Sequence, residues 1–346
     1  MTGAAVGVYL KPATHGKTPG SRIGEVAELV EGARLLIAYR VLSSILGSNP
    51  SLSALVLLAA LCFPLAAAAS GESDPCKKNL ESSTKKVAKG VLLHRQQCED
   101  PPYKAYILEV DLKSKKIGFF VTPYKKRLLL TSKFAEKFEA VAAVNGGFWS
   151  DRAGYTVSGG ELWPKYPDTE EGTVITFGDR DEKSGKIPVD IRPTEEILEE
   201  IPAGATQALS GIPLILEDGE PLKNEEEIFR TRHPRTGAGT TEDGKTLFIA
   251  VVDGRQKGWS LGLSTWKFGR LFKSLGAWRA VNLDGGQSST MVVPSMGGVI
   301  NRPCYKKGPE RPVPNHLAIV KIKPGEGAAA AFWGGFRGIL ELFRRG

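Results

Sequence analysis

From Val87 onward the chain consists of short apolar runs broken by turn residues, a texture that restricts it to a strand-rich fold. Ala105-Tyr-Ile-Leu-Glu-Val-Asp111 and Lys116-Ile-Gly-Phe-Phe-Val121 read as strands around a polar turn. Ala140-Val-Ala-Ala-Val144 is continuously apolar, as a strand buried on both faces would be. Thr173 to Phe177, Pro213 to Leu216, Leu247 to Val252, Arg279 to Leu283 and Leu317 to Ile322 add further strands. The Leu247 run ends in Asp253-Gly254, a tight-turn signal. With 40 Gly and 22 Pro, turns are frequent and long helices scarce. One helix is clear: Ser264 caps it, Gly276 ends it, and Phe268, Leu271, Phe272 and Leu275 share one face. A second is expected over 194–200. The fold class expected is α+β, a strand-rich single catalytic domain over 87–323 with mixed β-sheet and a few helices.

What precedes that domain is different in kind. Residues 41–71 carry no charge, and Ala66-Ala-Ala-Ala-Ser70 closes the run with the small residues that suit signal-peptidase cleavage. We read 51–70 as a signal peptide or a signal anchor, since its length approaches the roughly 20 residues that span a bilayer. Residues 1–50 form an extension, targeting or cytoplasmic, and 71–86 a linker. The tail 324–346 mixes Phe332, Trp333 and Phe336 with Arg337, Arg344 and Arg345, a composition open to an amphipathic helix. Export is expected, to a secreted or membrane-anchored location, with membrane association through 41–71 or the tail.

Four cysteines, Cys62, Cys76, Cys98 and Cys304, form no CxxC pair, which argues against a structural zinc site. In an oxidising compartment Cys76 with Cys98 is the pairing expected; Cys304 with either is the competing one. The net charge of +8 favours anionic partners. Nucleic acid is not among those expected, because basic residues are scattered and no zinc-finger, RNP-type or basic-helix pattern occurs. The histidines have no HxxxH or HExxH spacing, and no GxSxG, Walker or Rossmann glycine motif is present.

Two segments combine a strand end with glycines and polar side chains. In Asn282-Leu-Asp-Gly-Gly-Gln-Ser-Ser-Thr290 the backbone amides of Gly285 and Gly286 suit an anion nest, with hydroxyls from Ser288 and Ser289 and the carboxylate of Asp284 beside it. A plain Asp-Gly hairpin is the alternative. Val144-Asn145-Gly146-Gly147-Phe-Trp149 repeats the logic, with Asn145 as a polar contact and Trp149 as a stacking surface or core residue. Arg235, in His233-Pro-Arg235-Thr-Gly-Ala-Gly239, suits bidentate phosphate binding. Asp253 and Arg311 are further candidates.

Together with Gly154-Tyr-Thr-Val-Ser-Gly-Gly160 and Ser210-Gly-Ile-Pro-Leu-Ile-Leu216, these segments resemble the phosphodiester glycosidase family in order and spacing. Two departures stand out: Gln287 replaces a frequent third glycine, and Ser150-Asp151-Arg152 offers no Gly-Glu pair, with Asp151 or Glu161 as substitutes. The resemblance implies an exported hydrolase acting on a sugar-1-phosphodiester of a phosphate-bearing glycan. Asp284 and Asp253 are the carboxylates expected to do the chemistry. Arg235, Gly285 and Gly286 would hold phosphate, and Asn145, Gly146, Gly147, Asn282, Ser288, Ser289 and Arg311 would complete the substrate site. Phosphodiester P–O cleavage on a wall polymer or exopolysaccharide, and glycan binding without turnover, are the competing functions. No cofactor is required by this reading; a calcium or magnesium ion is the one considered.

Overall fold

A computed structural model describes residues 75–148, 154–164, 172–194 and 204–322. The segments 1–50 and 51–70, the tail 324–346, Trp149, Asp151 and residues 195–200 of the second expected helix lie outside them. Among the described residues no helix is long and apolar enough to cross a membrane.

The chain first lays down β1 (Glu81–Ala88), β2 (Val91–Glu99), β3 (Pro102–Asp111) and β4 (Ile117–Val121). Helix α1 (Thr131–Lys137) leads into β5 (Ala142–Asn145), β6 (Thr156–Ser158), β7 (Glu161–Leu162), β8 (Thr173–Gly178) and β9 (Val189–Pro193). Then come β10 (Ala205–Gly211), β11 (Leu214–Glu217), β12 (Glu220–Pro221), the one-turn α2 (Glu227–Arg230), β13 (Arg235–Thr240) and β14 (Thr246–Val252). Helix α3 (Thr265–Ser274) precedes β15 (Arg279–Asn282), β16 (Met291–Val293), β17 (Gly298–Val299) and β18 (His316–Lys321).

These strands build three sheets: β1-β2-β3-β14-β13-β15-β11-β12, β7-β6-β10-β8-β9 and β17-β16-β5-β18-β4. The class is α+β, strand-rich with few helices. The ladders are all antiparallel rather than mixed. The reason is visible around α3. This helix joins β14 to β15, but β13 lies between them, antiparallel to both, so no parallel neighbours form.

Alternation along the strands sorts the core into layers. Leu108 and Val110 of β3 and Leu247, Ile249 and Val251 of β14 face a core shared with Phe119, Val144, Ile175, Leu317 and Ile319 of the two smaller sheets. Ile107, Phe248, Ala250 and Val252 face the other way, onto Phe268, Leu271 and Phe272 of α3. Burying each of those three α3 side chains stabilises by about 1.5–3 kcal/mol. Ser264 caps the helix, its Oγ accepting from Lys267 N at 3.3 Å. A third layer packs Phe134 of α1 on Phe120 and Ala318.

Two boundaries differ from the sequence reading. The stretch read as a linker holds β1, paired along its length with β2. As an edge strand exposed over most of its length it has no apolar alternation to betray it. Its entry is tied down by a Cys76–Cys98 disulfide with Cα atoms 5.7 Å apart, and Cys304 is a free thiol. The Ala105 and Lys116 runs do form strands, β3 and β4, but these part into different sheets.

Helix α3 reaches the large sheet through Gly269, where a Cβ would run into the Ile215 carbonyl. Gly269→Ala is therefore expected to lower stability in urea unfolding by about 1–3 kcal/mol, well beyond the gain alanine normally brings to a helix interior.

Candidate active site

The segment 284–290 crosses from β15 in the large sheet to β16 in the third sheet, and a side chain holds it in place. Asn145, at the end of β5, is fully buried. Its Nδ2 donates to Asp284 O at 2.6 Å, and its Oδ1 accepts from Thr236 Oγ1 at 2.8 Å and Thr290 N at 3.1 Å. One amide thus joins β5, β13 and both ends of the crossing. Gly146 O accepts from Asp284 N at 3.0 Å, and Gly147 N donates to Asn315 Oδ1 at 2.7 Å. Asn145 and Gly146 thus hold the Asp284 backbone, Gly147 is tied to Asn315, and none of the three lines the cavity beside it.

That cavity, about 530 Å³, opens where β15 ends and β13 begins. Asn282, Asp284, Gly285, Gly286 and Gln287 form its floor. The anion nest expected there is filled by the protein itself. Gly286 N donates to Pro234 O at 2.9 Å, and the Gly285 amide turns to the Asp284 carboxyl. The glycines serve close approach instead: a Cβ on Gly285 would sit 2.7 Å from Pro234 O. Gly286, at φ +63°, leaves room for the Arg255 guanidinium. Ser288 and Ser289 are buried beneath the floor, and the Ser288 hydroxyl acts on Asp284 from there.

Positive charge comes from the walls. Arg235, only 4% exposed, donates from Nε to Leu263 O (3.0 Å) and from Nη2 to Ile228 O (2.7 Å) and Thr231 O (3.1 Å). Nη1 takes no part in these bonds, and among the described residues no carboxylate pairs with the group. Burial, with Arg255 adding to it, brings its pKa down to about 10. Arg255, Lys307 and Arg311 line the same space. Arg255 is aimed by His233, whose Nδ1 accepts from Arg255 Nε at 3.1 Å. An arginine only donates, so His233 carries its proton on Nε2 and passes it toward Thr231 Oγ1 at 2.8 Å. Burial and then the charges of Arg255 and Arg235 lower the His233 pKa to about 4, leaving it neutral at pH 7.

Asp284 is the carboxylate on the cavity wall among the described residues. Burial lifts its pKa to about 6, against the Ser288 hydroxyl, Arg311, the Gly285 amide and Arg255, which pull it down. Its Oδ2 is buried without a hydrogen-bond partner. Asp253 sits apart. Its Oδ2 accepts from Trp259 Nε1 (2.8 Å), its Oδ1 from Asn301 Nδ2 (2.9 Å), and Arg302 N reaches both oxygens at 3.0 Å. It is 1% exposed and lines no part of the cavity. Glu161 lies on the exposed strand β7, also away from it.

Calcium and magnesium require several oxygen ligands. Among the described residues no three His, Cys, Asp or Glu side chains gather, and Asp284 faces cations.

A sequence profile of the phosphodiester glycosidase family matches residues 138–320, a span that contains the whole of this floor and its walls. The chain belongs to the phosphodiester glycosidase family. Among solved structures, the zebrafish N-acetylglucosamine-1-phosphodiester alpha-N-acetylglucosaminidase catalytic domain, auto-inhibited by its pro-peptide, is similar at 21% identity. The match covers 72% of this chain and 86% of that one at a TM-score of 0.51, and shows a shared fold. A hypothetical protein from Synechocystis matches at 14% identity over 70% of this chain and 64% of its own, with a TM-score of 0.45. A putative exported protein from Burkholderia pseudomallei matches at 16% identity over 63% and 74%, with a TM-score of 0.47. No curated protein sequence matches the chain.

Of the residues read as candidates from the sequence, the cavity brings together Asp284, Gly285, Gly286, Asn282, Arg235 and Arg311. Phe148, His233, Arg255, Tyr305 and Lys307 were not among those candidates. Arg255 had a signal, three residues past a strand end and next to a glycine; Tyr305 and Lys307 lie on a loop with no periodicity.

The raised Asp284 pKa has a consequence for stability. An unfolded aspartate titrates near 4, so the native fold binds this proton more tightly. The stability gained is complete below pH 4 and lost as pH rises through 6. Asp284→Asn never ionises. Its stability relative to the natural protein should therefore rise by on the order of 2–3 kcal/mol between pH 4 and pH 8 in urea unfolding. An unchanged difference contradicts a buried carboxylate.

Proposed function

We propose that the cavity hydrolyses a sugar-1-phosphodiester at the bond between the anomeric carbon and the phosphate oxygen, releasing free sugar and a phosphomonoester. The observation that carries this reading is Arg235, a buried guanidinium with no carboxylate partner among the described residues. It shares the cavity with Arg255, Lys307 and Arg311, and the facing carboxylate is driven toward neutrality. A buried cation without an internal counter-ion is costly, and an anionic ligand offsets that cost. The name of the zebrafish neighbour, which acts on an N-acetylglucosamine-1-phosphodiester, supports the same class.

The chemistry needs only one carboxylate. Glycosidases ordinarily use a second as an acid, because an alkoxide is a poor leaving group. A phosphate monoester is a good one, its second pKa being about 6. The guanidiniums stabilise the second negative charge as it forms on the departing phosphate. Asp284, ionised above pH 6, takes a proton from water. The water oxygen bonds to the anomeric carbon, and the C–O electron pair leaves with the phosphate oxygen. Asn145 and Gly146 fix the carboxylate's position through its backbone, and Asp253 anchors the 259 and 301–302 segments. Support for an exported location comes from the Cys76–Cys98 disulfide, a bond of oxidising compartments, and from the charge-free run 51–70.

With a sugar-1-phosphodiester as substrate, kcat/KM should fall as pH drops through about 6. Asp284→Asn should lose that limb together with about 10²-fold or more of kcat. Hydrolysis in ¹⁸O-water should place the label in the sugar. Label in the phosphate means P–O cleavage and overturns the reading.

A further inference from the structure

Asn282 ends β15 and is 1% exposed. Its Nδ2 donates to Ile212 O at 2.6 Å. Only the NH₂ end of an amide can do that, so the side chain has one orientation and Oδ1 points away from Ile212. That oxygen is buried without a hydrogen-bond partner, on a residue that lines the cavity. Leaving such an acceptor unpaired costs about as much as a hydrogen bond lost from the core, and a donor brought by a ligand in the cavity offsets that cost. Leu283, between Asn282 and Asp284, is turned into the main core, so its two neighbours project to the opposite side of the chain. The Asp284 Oδ2 is also unpartnered, on a residue that lines the same cavity.

The cavity's four cationic groups are of the opposite kind. Arg235, Arg255, Lys307 and Arg311 can only donate, and they suit phosphate oxygens. The phosphate itself has nothing to donate to Asn282. A sugar hydroxyl does.

We propose that Asn282 Oδ1 is the specificity contact of the sugar subsite, accepting a hydrogen bond from one ring hydroxyl of a sugar whose anomeric phosphate lies on the arginines. The contact rests on the sugar-phosphate reading above and adds to it a required donor on the ring. A site of this polarity discriminates against a sugar lacking that hydroxyl, because the buried acceptor then stays unpaired. Substituents that only accept, such as ethers or fluorine, are refused at that position.

Calorimetric titration of the full chain tests this without requiring turnover. Glucose, galactose and mannose 1-phosphates are titrated first, then the tightest binder with each ring hydroxyl in turn replaced by fluorine. Fluorine keeps the size and removes the donor. Affinity should fall about tenfold or more at one position and little elsewhere. In Asn282→Leu, or Asn282→Ser where leucine prevents folding, that penalty should vanish while binding of inorganic phosphate is retained. Equal tolerance of fluorine at every position overturns the subsite, as does a penalty that persists in the variant. If none of the three sugar phosphates binds, the sugar-phosphate reading itself fails and the subsite with it.

Discussion

The site depends on one buried amide. Asn145 Oδ1 and Nδ2 together hold Thr236 in the large sheet, Thr290 at the entry to β16, and the carbonyl of Asp284. Without that cross-link, the crossing between two sheets would be a loop free to choose its own course. With it, Asp284 is set at a definite height above a core it cannot enter, since Leu283 already fills that place. The two glycines after it let Pro234 and Arg255 close over the backbone. Geometry at the carboxylate is therefore a property of packing two sheets together, and only secondarily of the turn itself.

Electrostatics then works against stability. A carboxylate is buried deeply enough to bring its pKa to about 6, and a guanidinium is buried on backbone carbonyls alone. Burial, and then the neighbouring cations, leave His233 neutral, so it orients Arg255 and adds no charge. A fold selected only for stability would pair Arg235 with an acid or replace it by an apolar residue. Keeping these groups unmatched prepares the cavity for charge that arrives with a ligand and grows as the phosphate departs.

Much of this was legible in the sequence, where local pattern and tertiary role coincide. Helix α3 showed its cap and its apolar stripe, and β14 and β15 their buried runs. Asp284 and Arg235 stood out as charged residues at strand ends beside glycines. The pattern was silent where partners come from far along the chain. Asn145 reads as a ligand donor because an amide beside two glycines usually has a free side; here Thr236 and Thr290 occupy it. Asp253 reads as a second reacting carboxylate, yet it lies off the cavity, because its four hydrogen bonds come from Trp259, Asn301 and Arg302, none of which marks it in sequence. Strand β1 escaped notice because a polar edge strand carries no alternation. The anion nest failed for a related reason: sequence shows that glycines expose amides, but not that Pro234 O lies within reach of one.

The most direct measurement is the titration of the Asp284 carboxyl by ¹³C NMR in aspartate-labelled protein, assigned by its absence in the asparagine variant. The account predicts a midpoint near 6 that moves upward when inorganic phosphate binds, because a second anion then shares the arginines. A midpoint near 4, indifferent to phosphate, would show an ordinary solvated aspartate and contradict the account.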